Sequence, residues 1–150
     1  MAVHGREDST LAYYKSNATD YDTNTLIQSA WWENLAFGQN ILYFHVCHGT
    51  NILRKGELQK LFPNWVSYND EIAHTISGHD VVREKSESFM SQFNSFFQSA
   101  DDTKTFYEQT KSLYKGMIEE LNDHQGAYSI DVHMALLQNN LDCLDSSINI

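Results

Sequence analysis

Between Ile41 and Asp80 the chain gathers the side chains that could do chemistry. His45, Cys47 and His48 form one short run, Gly49 and Asn51 follow it, and the carboxylates of Asp70 and Asp80 come further on. Cysteine and histidine are ligands that zinc favours, and His74 and His79 add two more imidazoles. A tetrahedral site needs side chains that converge. On a strand, His45 and Cys47 share one face and His48 points elsewhere; on a helix, His45 and His48 share a face and Cys47 does not. No second pair has a recognised ligand spacing, so no metal site is expected. Cys47 also invites nucleophilic chemistry, because a thiolate is favoured at a strand end before a helix N-terminus and beside imidazoles. The commoner fate of a free cysteine is burial as an inert thiol. That is the expectation for both Cys47 and Cys143, which are too few for a disulfide framework.

The elements that would position these residues can be read from periodicity. Residues 1–8 read as frayed, Ser9 or Thr10 as the cap of a short helix over Leu11 to Ser16, and Asn17 to Thr25 as loop. Ile27, Ala30, Trp31 and Leu35 recur at helical spacing before Gly38, with Trp31 turned inward and Trp32 left near the surface. Ile41 to Cys47 is a short apolar run bounded by Gly38 and Gly49, which predicts a buried strand. Ile52 to Phe62 predicts a helix ended by Pro63, Trp65 to Tyr68 a second strand, and Asp70 to Ser77 a helical turn or two. Val82, Phe89, Phe93 and Phe96 then lie on one helical stripe. Asp101 or Asp102 caps a further helix in which Phe106, Thr110, Leu113, Met117 and Leu121 share a face. Beyond Gly126, the residues Tyr128, Ile130, Val132, Met134 and Leu136 alternate with Ser129, Asp131, His133 and Ala135, the period of a half-buried strand. The polar tail from Gln138 is expected to end in a short helix or to be loose. Strands alternating with helices predict an α/β fold, a small parallel sheet with flanking helices in a single domain spanning 1–150. The alternative is a mainly α-helical bundle, which the clean stripes at 82–97 and 106–121 favour and which a helix content above about 60% would support.

In the order of these elements the chain resembles the class I S-adenosylmethionine-dependent methyltransferases. The segment YYKSNATDYD from Tyr13 to Asp22 is similar to the opening helix and loop that cover the cofactor. Ile41 to Asn51 (ILYFHVCHGTN) is similar to the first strand and glycine loop, and Val66 to Glu71 to the second strand ending in an acid. Gly78-His79-Asp80 stands where the family has a Gly-Asp that approaches the adenine. Ser88-Phe89 with Asp101-Asp102 falls near the fourth strand, and Leu121 to Ile130 near the turn and fifth strand. The resemblance implies S-adenosylmethionine as cofactor, lying over Gly49 and Asn51, with Asp70 on the ribose hydroxyls, Asp80 near the adenine, and a small molecule as methyl acceptor. It names no catalytic base. The chemistry is direct transfer governed by proximity and orientation. The chain departs from the family where a glycine-rich loop would be: only Gly49 remains, His45, Cys47 and His48 occupy positions that are small in the family, and Asn51 is left to adopt a left-handed conformation in place of a final glycine.

Composition sets the outer limits. A chain of 150 residues can bury roughly 70% of its unfolded surface. The start MAVHGREDST lacks the apolar core of a signal peptide and no long apolar run occurs, so a soluble, cytoplasmic protein away from the membrane is expected; the triad at Asn17-Ala18-Thr19 is then an idle glycosylation match. A formal charge of −10 argues against attraction to a nucleic-acid backbone. No lysine or arginine follows Lys115, whereas Glu119, Glu120, Asp123, Asp131, Asp142 and Asp145 are all acidic. That end of the chain is either a solvated surface that aids solubility or one that docks a basic protein partner, as an inhibitor or immunity protein would.

Overall fold

The computed structural model describes residues 3–5, 11–13, 41–54, 56–73 and 79–149. The helix expected over Leu26 to Phe37, the tryptophan pair within it, Asn17, His74 and Gly78 lie outside the described residues. The chain divides into two compact units, Met1–Glu71 with Asp145–Ile150, and Ile72–Leu144.

The first unit holds the strands. β1 (Val3–Gly5) and β2 (Leu11–Tyr13) pair antiparallel, Val3 opposite Tyr13. Leu11 to Tyr13 therefore extends where a short helix was expected; a single helical turn has a costly nucleus, and pairing offers the backbone a cheaper set of partners. A second sheet has the order β3 (Leu42–Tyr43), β4 (Trp65–Tyr68), β5 (Leu144–Ser146). β3 and β4 are parallel, as expected, with Leu42 opposite Trp65 and Tyr43 opposite Val66. All four residues of the central strand β4 are fully buried, which suits a strand covered on both faces. The first strand is much shorter than the Ile41 to Cys47 run, because after Phe44 the chain bends away and exposes His45.

Between the parallel strands lie two short helices, α1 (Gly49–Leu53) and α2 (Gly56–Leu61). The single helix expected from Ile52 to Phe62 is interrupted at Arg54. Gly56 is a poor interior helix residue, costing about 1 kcal/mol against alanine, and the break lets Arg54 reach the C-terminal segment. Leu53, Phe62 and Trp65 form the core of this unit, packed by Leu42, Phe44 and Leu61. The segment after residue 143 adds β5 and a 3-10 turn, Ser147–Asn149. Asp145 in it is buried, yet its charge is matched: Arg54 donates to Oδ2 at 2.9 Å, and Ser146 N–H and Asn149 Nδ2 donate to Oδ1 at 2.8 and 3.0 Å. The Arg54 guanidinium also lies 5.8 Å over the Trp65 ring, and Trp65 N–H donates to Ser147 Oγ at 3.2 Å.

The second unit is helical: α3 (Asp80–Ser99), α4 (Thr103–Asn122) and α5 (Tyr128–Cys143), with α4 packed against both of the others. The stripes read from the sequence meet here. Phe93 sits edge-on to Phe106 at 5.5 Å, and Phe89 lies 5.1 Å from Tyr114, a geometry aromatic pairs prefer. Asp102 is the cap of α4: its carboxylate accepts from Thr105 N–H at 2.9 Å and Thr105 Oγ1 at 2.6 Å, and those bonds hold its carboxyl below the usual carboxylate range. Gly126, at φ 99°, provides the turn before α5.

The strand expected over Tyr128 to Leu136 is instead helix, and the reason is visible in what it buries. Ile130, His133, Leu137, Asn140 and Cys143 face inward, a spacing of three and four. Tyr128 is 85% exposed. Two buried polar residues hide the helical stripe from an apolar count, and Met134, Ala135, Leu136, Leu137 and Gln138 are good helix formers. Ser88-Phe89 lies inside α3, and Leu121 to Ile130 runs from the end of α4 into α5, so neither supplies the later strands that the family resemblance implied. About two-thirds of the described residues are helical, and the small three-stranded sheet has flanking helices. No helix among the described residues is long and apolar enough to cross a membrane.

Asn140 explains its own burial. Its Oδ1 accepts from Ala73 N–H and its Nδ2 donates to Ala73 O, both at 2.9 Å, so one side chain replaces a strand partner for that backbone. Asn140→Ala is expected to lower the unfolding free energy by about 1–3 kcal/mol in a urea titration, with Gln138→Ala on the exposed face changing it little. An Asn140→Ala midpoint equal to the parent's would remove the clamp from this account.

Candidate functional site

The residues from Phe44 to Asn51 connect β3 to α1, and Asp70 follows the end of β4. Parallel pairing of β3 and β4 brings these two stretches together. His48 N–H donates to Asp70 O at 3.0 Å, and His48 Nδ1 lies 3.9 Å from Asp70 Oδ1. Of the four residues expected to hold a cofactor, Gly49, Asn51 and Asp70 belong to the sheet unit. Asp80 belongs to the helical unit, where it opens α3 and pairs with Arg83 at 2.6 Å on an exposed helix face.

Gly49 is buried against the sheet. A Cβ there would overlap Ser67 Oγ and come within 3.1 Å of the Phe44 and Val46 side chains. Ser67 has no freedom to step aside, since it is fully buried and donates to Phe44 O at 2.7 Å. Close packing of the loop on its own strand thus requires glycine at this position. The left-handed residue is His48, at φ 52° and ψ 24°, and not Asn51, which lies within α1. Histidine tolerates that conformation better than most residues do, and it lets the chain turn directly from the strand into α1. Three of the loop's donors are spent on its own carbonyls, Val46 N–H on Phe44 O, Gly49 N–H on Val46 O and Asn51 N–H on His48 O, and two on the neighbouring strand and its end, Phe44 N–H on Val66 O and His48 N–H on Asp70 O.

Asp70 is the accessible group at this place. Its side chain is 68% exposed, and Oδ1 accepts from the N–H of the next residue, Glu71, at 2.8 Å. The outer oxygen is open to solvent, past the carboxyl end of a parallel strand, where an acid can accept from ribose hydroxyls. His45 does not join it. The His45 ring lies tilted against two others, 5.0 Å from Tyr68 and 5.5 Å from Tyr43, whose hydroxyls share a 2.6 Å hydrogen bond. Cys143 is buried and Cys47 half-buried, and neither is in a disulfide. No three His, Cys, Asp or Glu side chains converge among the described residues.

One feature of the helical unit escaped the sequence reading. His133 and Asn140 are buried polar residues on the inner face of α5; their spacing from Ile130 and Leu137 was the signal that could have found them. Burial pushes the His133 imidazole below its ordinary value of 6.5, favouring the neutral ring. The acidic imbalance read from the sequence falls largely on this unit. Residues 72–144 carry eleven carboxylates against five lysines and arginines. Glu120 pairs with Lys85 at 2.9 Å, which raises the lysine's pKa. Glu119, Asp123, Asp131 and Asp142 are exposed and meet no basic side chain among the described residues.

Because packing explains Gly49, relieving the packing is expected to relieve the requirement. Gly49→Ala should destabilise the protein by about 1–3 kcal/mol, and adding Ser67→Gly should restore part of that loss in a double-mutant cycle by chemical denaturation. Strictly additive effects would mean that the two positions do not press on each other.

No protein family, characterised protein or solved structure matches this chain, so its function has to be argued from the geometry and charge of its own residues.

Proposed function

We propose that the protein is an acidic binding protein whose helical unit docks a basic protein partner. One observation carries this reading. From Gly116 to the end of α5 the chain has no lysine or arginine, while Glu119, Asp123, Asp131 and Asp142 stand exposed without a cation among the described residues. Asp145, counted with them in the sequence, is taken out of that surface by Arg54. The predominance of helix supports the same reading, since it is the content expected of the helical alternative. Exposed like charges left unneutralised destabilise a compact chain slightly and gain their use in association, where complementary charge steers encounter and fixes orientation.

The test is a fluorescently labelled lysine-rich peptide, titrated at several salt concentrations. Binding is expected to weaken steeply as salt screens the charges. The triple variant Asp123→Asn, Asp131→Asn, Asp142→Asn should lose roughly tenfold in affinity, on about 0.2–1 kcal/mol per exposed charge pair. The triple variant Glu84→Gln, Glu87→Gln, Glu108→Gln removes as many charges from helix faces that also carry lysine, and should change little. Equal losses in the two variants would mean net charge alone is acting, and the proposal would fall.

A second reading retains S-adenosylmethionine and a small-molecule substrate, a methyltransferase if active. The observation in its favour is the exposed Asp70 carboxylate beside His48 and Gly49, at the end of a strand parallel to its neighbour. Cofactor at 100 times its dissociation constant should add about 2.7 kcal/mol of stability, seen as a rise in melting temperature that Asp70→Ala abolishes. A flat melting temperature at millimolar S-adenosylmethionine and S-adenosylhomocysteine would end this reading.

A further inference from the structure

The helical unit contains a cavity of about 420 Å³ that opens along α3, α4 and α5. Phe89 and Met90 line it from α3, Tyr114 and Met117 from α4, and His133 and Leu136 from α5. Three properties set what it can hold. Its volume falls in the range of small-molecule sites, roughly 300 to 1,000 Å³, and well beyond the water-sized voids of close-packed interiors. Its walls are mainly aromatic and aliphatic, with two methionines whose unbranched thioethers adapt to an occupant's shape. Among the described residues no lysine, arginine, aspartate or glutamate lines it, so a charged ligand would be stripped of water with no opposite charge there to compensate.

Ser86, Tyr114, Asn140 and His133 are the polar side chains of these walls, and Asn140 is already held by Ala73; His133 is the one we assign to fixing orientation. It is 6% exposed, so its imidazole is presented by the fold rather than by a flexible surface chain. Neutral imidazole offers one donor and one acceptor nitrogen. At one end of the cavity Asn140 and Ala73 are tied to each other, which makes that end rigid.

We propose that this cavity is a binding site for an uncharged, mainly apolar small molecule with a single hydroxyl group that hydrogen-bonds to His133. Sites in helical bundles are commonly built in this way, from side chains on facing helices. The site is independent of the acidic surface: Asp131 and Asp142 do not line it.

The probe is 2-naphthol, titrated into the full chain by calorimetry, with naphthalene and 2-naphthoate as controls. Saturable binding at one molecule per chain is expected for 2-naphthol, with 2-naphthoate weaker by tenfold or more. His133→Phe should weaken 2-naphthol about tenfold, the loss of one hydrogen bond in a buried site, while leaving naphthalene binding intact. Met90→Trp should weaken both apolar ligands by filling the cavity; Met90 is 52% exposed, so the larger ring has room to be accommodated without unfolding the chain. Absence of saturable 2-naphthol binding up to its solubility limit, equal affinity for 2-naphthoate, or unchanged affinity in both variants would overturn the proposal.

Discussion

The sheet depends on a carboxylate that has no business in an apolar interior unless it is fully partnered. β4 is buried along its whole length and needs a strand on each side. One neighbour, β3, is close in sequence, while the other, β5, arrives only after three long helices. Asp145 comes in with β5, and a lone buried charge would cost several kcal/mol. Arg54, Ser146 and Asn149 satisfy it, and Arg54 also caps the Trp65 ring. The interruption between α1 and α2 takes its meaning from the same bond, because Arg54 stands at the break. A contact so distant in sequence closes a long loop and so forms late and slowly, which makes the first unit dependent on the last residues of the chain.

Gly49 illustrates how one residue supports opposite readings. In a cofactor loop glycine leaves room for a ligand. Here the same absence of a side chain leaves room for Ser67, and the space is already filled by the protein. His48 fits this picture. With its backbone in the left-handed conformation, its side chain buried and its main-chain N–H on Asp70 O, His48 makes the turn compact rather than open.

Much of the fold was legible before any coordinates. The aromatic stripe of α3, the inner face of α4, the Asp102 cap and the parallel pairing of two short strands all follow from period, turn residues and length. What failed did so for physical reasons. The strand expected at Tyr128 to Leu136 rested on apolar alternation, and the fold instead buries His133 and Asn140 while leaving Tyr128 in water. The helix expected from Ile52 was cut because Arg54 has a partner at Asp145, a contact that no local pattern encodes. At the candidate site, the meeting of Asp70 with His48 and Gly49 was foreseeable from a strand–helix–strand order. The left-handed residue was misplaced by three positions, since tertiary packing of Gly49 selects His48 for the turn.

Charge and packing therefore divide the described residues: the loop around Gly49 turns its packing inward, and the helical unit leaves carboxylates and a cavity facing outward. The most direct test is residue-resolved. Amide chemical shifts of the isotopically labelled chain, followed while a lysine-rich peptide is added, should move at Glu119, Asp123, Asp131 and Asp142 and stay fixed from Val46 to Asn51 and at Asp70. Shifts concentrated in that loop, or spread evenly over every acidic residue, would contradict the account.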